Sequence, residues 1–396
     1  MARNISIGID IGSYEVKVLV CEAGGIAEKG FPRVLGAGFS ESKGLRNGYI
    51  VNSAEVTRSI GLAIRQAEKS SGIKIKKAYV ALGGIGLESR ISHGSIMISR
   101  ADSEITDLDV SHAIAASEKE IPRQISLNRK IIHTIPLQFK IDGKTVWGRP
   151  HGMKAAKLDV KTLFITCLEQ HVNDIILCLE ELGVEAEDLI ASPIAASLVT
   201  INKLQKIAGC VLANIGSETV SVVVYENDIP ISLEVFPIGS TDITNDIALG
   251  FKIPLEDAES AKRDRRDGGE HPKKKMEEII DARLSDIFEL IENHLKKIGR
   301  DGLLPAGIVF IGGGSLLNTI PEFAMRSLKL PSKVSDLAIQ GNMKSPVRNV
   351  VFAVAYGLCL LGFTNTLEDA IGIKRGLRFL KSLAKTVVGW VKQFLP

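Results

Sequence analysis

At 396 residues, 45% hydrophobic and 24% charged, the chain has the balance of a soluble globular protein and too much length for one simple core. The net charge of +3 is unevenly spread: six basic residues and no acid follow Ile373, which leaves −3 for the rest. The basic character therefore belongs to the tail, and nothing in the body points to a nucleic-acid surface. The five cysteines (Cys21, Cys167, Cys178, Cys210, Cys359) are scattered without metal-ligand spacing, as expected of buried, reduced thiols in a cytosolic protein. The chain runs almost directly into its first strand, leaving no room for a signal peptide, and no apolar run reaches the roughly eighteen residues of a transmembrane helix.

The run Ile5–Ile9 opens a strand that passes through a Gly-Ser turn into a second strand. A strand near Val34–Phe39 precedes a helix from about Ser53 to Ser70, with Ser53 as N-cap and Gly72 as its stop. Lys77–Gly83 reads as a buried strand. Gly83, Gly84 and Gly86 then mark the entry to an inserted subdomain, with a helix over Thr106–Glu120 and strands near Lys130–Ile141 and Lys161–Cys167. A helix over Gln170–Leu182, a short strand and a helix at Pro193–Ser197 follow. A second hairpin begins at Cys210, with Ile229–Pro237 as its third strand and helices near Thr241–Gly250, Leu255–Arg263 and Lys273–Gly299. Arg263–Lys275 mixes both charges with Gly-Gly and Pro, and reads as a solvated loop. Gly307–Ile311 is a last strand, and a helix of small residues near Val350–Leu361 closes the body. The resulting division is a first-lobe core (1–84, 166–205, 346–363), an insert (85–165), a second-lobe core (206–252, 300–345) with an outer subdomain (253–299), a short linker (364–374) and a terminal helix (375–396).

The two hairpins are near copies. Asp10–Glu22 reappears 204 residues later as Asn214–Glu226, with seven of thirteen positions identical. Each turn lies between apolar strands, so its N–H groups lack a ladder partner, and glycine permits the close approach an anion-cradling turn needs. Two such turns facing each other would clamp a polyphosphate. The first supplies Asp10, Gly12, Ser13 and Lys17; Asp10 suits a metal held through water, and Lys17 a phosphate. The second supplies Asn214, Gly216, Ser217 and Thr219. One such loop alone is also ordinary hairpin chemistry; its duplication is what argues for a nucleotide. Gly312, Gly313, Gly314 and Ser315 follow an apolar strand, where flat backbone can pass close to a purine. The same four residues also read as a strand-to-helix turn capped by Ser315, and the two readings are compatible. They match neither a Walker A loop nor a dinucleotide-binding G-x-G-x-x-G.

The tail carries a second pattern. At 100° per residue, Leu377, Phe379, Leu380, Leu383, Ala384, Val387, Val388, Trp390, Val391, Phe394 and Leu395 fall on one half of a helix, with Arg378, Lys381, Lys385 and Lys392 on the other. Such a face fits a helix docked on the body. Trp and Phe opposite a uniformly basic side fit an anionic lipid surface better.

With these residues in view, the chain resembles the actin–Hsp70–sugar kinase superfamily and, within it, the FtsA family of bacterial cell-division proteins. The resemblance covers nearly the whole chain. It rests on Gly8–Ser13, Asn214–Thr219, Ile238–Ala248 with Gly239 leading a Thr-Asn-Asp-Ile-Ala run, Ala258–Lys262, and Gly307–Gly314. Within the insert, Ile132–Pro136, Asp142-Gly143 and Pro150–Met153 carry it, with His151 where the family pattern has valine. It implies a two-lobed α/β actin-like fold with an FtsA-type insert and a C-terminal amphipathic helix. It also implies ATP with Mg, Glu259 and Lys262 on the ribose and adenine edge, and the glycines at 312–314 against the base. Helices at Pro193–Ser197 and Ala355–Gly357 would cross between the lobes. His133 and His151 lack partners at metal or catalytic spacing and are expected to be structural.

The second phosphate loop departs from the superfamily pattern, in which Asp stands at Asn214 and often at Ser221. Asparagine cannot act as a charged metal ligand or general base, so ATP binding with slow or absent hydrolysis is expected. The resemblance further implies self-association into filaments and peripheral attachment inside the cytoplasmic membrane at the division site. The partners it implies are anionic lipids, the C-terminal peptide of FtsZ and other division proteins. The family's Arg-x-x-Glu for that peptide maps to Arg283 and Asp286; an i,i+3 surface pair is the plainer reading. Two alternatives stand: an actin-fold peptide-binding adaptor of a pilus machine, and a small-molecule kinase, which Asn214 disfavours.

Overall fold

The computed structural model describes residues 4–23, 31–263, 272–339, 349–363 and 374–375. Two five-stranded sheets of the same topology face each other across a cleft, and a third sheet belongs to the insert. In the first lobe, β1 (Ile5–Ile11), β2 (Glu15–Glu22) and β3 (Arg33–Glu41) form an antiparallel meander. A small hairpin of β4 (Leu45–Arg46) and β5 (Tyr49–Ile50), helix α1 (Ser53–Ser71) and β6 (Lys77–Leu82) follow, and β6 runs parallel to β1. The N-cap of α1 is Asn52 rather than Ser53: its Oδ1 accepts the Glu55 N–H at 3.3 Å. Gly72 closes the helix in the left-handed region, as its position suggested.

The insert contains β7 (Glu88–Met97), α2 (Asp107–Lys119), α3 (Arg123–Ser126), β8 (Arg129–Ile141), β9 (Lys144–Val146) and β10 (Lys157–Leu168). Thr106 and Asp109 cap α2 reciprocally. Strand β7 escaped sequence reading because its Ser, His and Gly residues dilute the alternation; Gly94 is glycine because α2 presses its Ala113 carbonyl there. The chain returns through α4 (Glu169–Glu181), β11 (Glu185–Ala191), parallel to β6, then α5 (Ser192–Thr200) and α6 (Lys203–Ala208).

The second lobe repeats the scheme with β12 (Cys210–Ile215), β13 (Val220–Glu226) and β14 (Ile229–Phe236), followed by α7 (Ser240–Phe251), α8 (Leu255–Arg263) and α9 (Lys273–Lys297). Strand β15 (Ile308–Ile311), helix α10 (Ile320–Leu328) and β16 (Ser332–Val334) complete it, with β15 parallel to β12, and helix α11 (Ala353–Phe363) returns to pack on β1, β2 and β6 of the first lobe. Alternation along β12 and β13 divides two cores: Val211, Ala213, Ile215, Val220, Val222 and Val224 pack towards α7 and α9, and Leu212, Val223 and Tyr225 join the core shared with the first lobe. Helix α5 touches strands of both lobes and lies along α11, and the Ser197 and Tyr225 hydroxyls meet at 2.6 Å. Finally β17 (Lys374–Arg375), at the junction assigned to linker and terminal helix, pairs antiparallel with β8. The amphipathic stretch from Leu377 lies outside the described residues.

Three buried imidazoles stay neutral. Burial depresses His133 to about 3 and His294 to about 4, and lowers His171. His133 Nε2 accepts the Ala191 N–H at 3.0 Å and thereby ties the insert to the first lobe. An unfolded chain protonates these groups near pH 6.5. Their contribution is therefore present above that pH and is lost as pH falls through it, at up to ~1.4 kcal/mol per pH unit for each histidine. Thermal unfolding between pH 7.5 and 5 should show a falling midpoint, and His133→Gln, which cannot titrate, should flatten it; an unchanged slope would contradict this assignment.

Candidate nucleotide site

Both duplicated turns open into one cavity of about 630 Å³ between the lobes. Its lining includes Asp10, Gly12, Ser13 and Lys17 from the first turn, and Asn214, Gly216, Ser217 and Thr219 from the second. Glu259, Lys262, Gly312, Gly313 and Gly314 of the expected set line it too. Two expected residues stand behind this lining. A Cβ on Gly239 would collide with the Ser217 carbonyl, so this glycine lets the start of α7 press on the second turn from outside. Ser315 is buried and donates to the Gly312 carbonyl at 2.7 Å. It does not cap a helix: Gly314–Leu316 is a short 3-10 turn without a side-chain cap.

The two hairpins place different chemistry at one register. Across β1 and β2, Asp10 faces Lys17; across β12 and β13, Asn214 faces Ser221. Lys17 Nζ lies 3.7 Å from Asp10 Oδ2 and 4.0 Å from Glu15 Oε2, and donates to the Glu15 carbonyl at 3.2 Å. Burial pushes both carboxyls above the usual range, with Lys17 pulling the other way. One buried cation thus faces two carboxylates, and the first lobe carries an acidic surplus. The second lobe's pair is neutral, and Asn214 Oδ1 occupies the space a Cβ on Gly312 would need. With φ of +85°, Gly312 is required on both counts.

The second turn is tighter than its sequence suggested. Gly216 N–H is spent on the Thr219 carbonyl at 2.9 Å, and the amides of Ser240 and Thr241 bind the Gly216 and Ser217 carbonyls at 2.9 and 2.8 Å. Beside it, Glu259 and Lys262 form an ion pair at 2.6 Å. Thr244 Oγ1 donates to Glu259 Oε2 and accepts from Lys262 Nζ, each at 2.6 Å, and Arg263 Nε binds Glu259 Oε1 at 2.7 Å. Burial alone would raise the Glu259 carboxyl; donation by Lys262, Thr244 and Arg263 holds it below the usual range. Sequence reading missed Thr244, Tyr14 and Arg263. Arg263 Nη2 donates to the Tyr14 hydroxyl at 3.0 Å, joining the lobes at the cavity's mouth. The signal for Arg263 was its place one residue after the Ala258–Lys262 segment; Tyr14 carried none.

Elsewhere, Arg283 is bound bidentately to Asp246 (2.7 and 3.0 Å) and lies 3.2 Å from Asp286. Asp246 is therefore the principal partner, and the i,i+3 contact is the lesser one. His151 Nδ1 sits 3.3 Å from Asp107 on the surface. All five cysteines are free and buried. Among the described residues no cluster of three or more His, Cys, Asp or Glu side chains is placed to hold a metal, and no helix is long and apolar enough to cross a membrane.

Residues 211–357 match the family model for cell division protein FtsA, and residues 84–166 match that for the SHS2 domain inserted in FtsA. Together the two matches span more than half of the chain. The chain is 26% identical to cell division protein FtsA of Pseudomonas aeruginosa, over 90% of this chain and 88% of that one. It is 27% identical to FtsA of Borreliella burgdorferi over 91% of each, and 24% identical to FtsA of Escherichia coli K12 over 99% and 96%. The chain belongs to the FtsA family. Solved structures place this FtsA-family chain in the actin-like fold. A PilM–PilN type IV pilus biogenesis complex superposes with a TM-score of 0.68 (19% identity; 91% of this chain, 99% of that one). MreB5 of Spiroplasma citri bound to AMPPNP gives 0.53 (12% identity; all of each chain).

The Thr244 hydroxyl bridges both members of the Glu259–Lys262 pair. Replacing it by the isosteric valine should cost about 1.5–3 kcal/mol, the range for buried hydrogen bonds to charged groups, in urea unfolding. A Thr244→Val protein as stable as wild type would show that the bridge contributes nothing.

Proposed function

We propose that this FtsA-family protein binds Mg-ATP in the inter-lobe cavity. In this reading it self-associates at the inner face of the cytoplasmic membrane and tethers FtsZ filaments there through their C-terminal peptide. The observation that carries the nucleotide reading is the convergence of both duplicated turns, the Glu259–Lys262 pair and the triple glycine on one cavity. The residues suit the ligand chemically. Lys17 is the buried cation facing the phosphates, Ser13 and Ser217 offer hydroxyls, and a Cβ on Gly313 would meet nothing within 4 Å, leaving room for a flat base. Asp10, with surplus negative charge beside it, would hold Mg through water. Bound Mg would neutralise phosphate charge; the chain's own groups would orient the nucleotide. Asn214 stands where a general base would be needed, so turnover is expected to be slow or absent.

The tail supports the membrane reading through its sequence pattern, four basic residues opposite an apolar face that includes Trp390 and Phe394. For the FtsZ peptide, we place the contact at Arg283 and Asp286, now with Asp246. Leu249, one turn further along α7, is 77% exposed and offers an apolar contact beside these charges. The fold likeness to PilM–PilN keeps a second reading: an adaptor that grips a peptide of another membrane machine.

Mg-ATP binding followed by calorimetry should be saturable, and Lys17→Ala should weaken it at least about tenfold through loss of a charge-assisted contact. Turnover comparable to that of a sugar kinase would refute slow hydrolysis. In flotation with anionic liposomes, full-length protein should rise with the vesicles and carry the FtsZ C-terminal peptide, whereas a truncation after Ile373 should stay at the bottom. Flotation without the peptide would favour the adaptor reading; no flotation would remove the membrane role.

A further inference from the structure

The small hairpin β4–β5 lies outside both duplicated turns and the triple glycine, yet it touches the two turns and the entrance to the insert. Its turn, Asn47-Gly48, has φ of +50° and +79°, the geometry of a tight two-residue hairpin. On one side the turn meets both phosphate turns. Gly48 N–H donates to Ser13 Oγ at 3.1 Å, and Asn47 N–H donates to Glu218 Oε2 at 2.6 Å, across the cleft from the second lobe.

On its other side the hairpin packs on the entrance to the insert. Ile85 N–H donates to the Asn47 carbonyl at 3.2 Å. The Gly48 and Gly84 backbones touch so closely that a Cβ on Gly48 would collide with Gly84 Cα, and one on Gly84 would lie 2.9 Å from the Asn47 carbonyl. A Cβ on Gly86 would lie 2.9 Å from the Tyr49 hydroxyl, and the Tyr49 ring meets His171 of α4 edge-on at 5.3 Å. Gly86 also accepts from Arg129 Nη2, at 2.6 Å, at the base of β8. The turn therefore has no slack between the phosphate turns and the insert.

We propose that this hairpin is a relay that couples occupancy of the cleft to the setting of the insert. The proposal rests on the nucleotide reading above. Ser13 Oγ accepts from Gly48 N–H and keeps one proton to donate. A phosphate oxygen accepting a hydrogen bond from that hydroxyl would polarise it and strengthen the Gly48 contact, because hydrogen bonds in series reinforce one another. Glu218, bonded to Asn47 N–H, holds the same turn to the second lobe, so the hairpin tightens only when both lobes are in place. Tightening it fixes Gly84–Gly86, where the chain leaves the first lobe. Coupling of this kind is reciprocal: whatever fixes the insert would also raise affinity for nucleotide.

Hydrogen exchange on the full chain, with and without Mg-ATP, tests the relay using Glu218→Ala and Glu218→Gln; Glu218 does not line the cavity. In wild type, ATP should slow exchange at 10–17 and 214–221, and also at 47–48 and 84–97 by roughly tenfold, the scale of one charge-assisted hydrogen bond. In Glu218→Ala the slowing at 84–97 should vanish, with Glu218→Gln, which retains an acceptor, in between. Without nucleotide, Glu218→Ala should exchange faster than wild type at Ile85, far from residue 218 in the chain. Slowing at the phosphate turns without slowing at 84–97 would overturn the relay and leave the cleft reading standing. An unchanged Ile85 in nucleotide-free Glu218→Ala would overturn the mechanical link whatever ATP does. No slowing at 10–17 would overturn the cleft reading itself, and the relay with it.

Discussion

The cleft depends on how closely helix α11 can lie against its neighbours. A Cβ on Gly357 would collide with the Ala195 carbonyl of α5, one on Gly8 with the Ala355 carbonyl, and one on Gly362 with the Ser6 hydroxyl. Two contacts with backbone carbonyls and one with a serine hydroxyl therefore seat one helix on both β1 and α5. Helix α5 in turn reaches strands of either lobe, and its Ser197 is hydrogen-bonded to Tyr225 of the second. Close packing of this kind transmits displacement rather than absorbing it. The two sheets, and with them the two duplicated turns, are joined through this crossing.

The two hairpins are similar scaffolds with different electrostatics. In the first lobe a buried lysine is shared by two carboxylates; at the matching register of the second, asparagine faces serine. A buried ion pair is weak support for stability, because desolvation offsets much of the Coulombic gain. Only one copy holds such a pair, and it lies on the side where Asp10, Glu15 and Lys17 line the cavity. The neutral copy is shaped by packing instead: Asn214 fills the space left by Gly312, and the Gly216 amide is used to close its own turn.

Much of this was readable in the sequence because it rests on local rules. The hairpins follow from apolar runs on either side of a Gly-Ser turn, α1 from a glycine stop, and the matching turns from repetition of Ile-Gly-Ser. What escaped had no local signature. Strand β7 is held by pairing with β10, 60 to 78 positions away in register (Met97 with Lys157, Glu88 with Thr166), and by a helix pressed on Gly94. Thr244 matters because α7 and α8 bring it between Glu259 and Lys262, and Tyr14 because the lobes close on it. Ser315 was misread as a cap since a serine after glycines looks the same whether its hydroxyl meets an amide ahead or a carbonyl behind. Asp246 was hidden for a related reason: spacing along α9 reveals Asp286, whereas the stronger partner of Arg283 sits on another helix.

The five buried cysteines have a practical consequence. Burial pushes the Cys167 thiol up to about 11 and that of Cys210 to about 12, and raises those of Cys178 and Cys359. Thiolate, the reactive form, is therefore scarce, and none of the five side chains is open to reagent in the folded chain. They are also distributed: Cys21 and Cys359 lie between the first sheet and α11, Cys167 at the stem of the insert, and Cys210 on the first strand of the second lobe. A maleimide added to native protein should find almost no background, so a single cysteine introduced on the surface can be labelled without first removing the others. As each region opens its own thiols become reactive, and the order in which the cysteines are modified would record the order in which the lobes come apart.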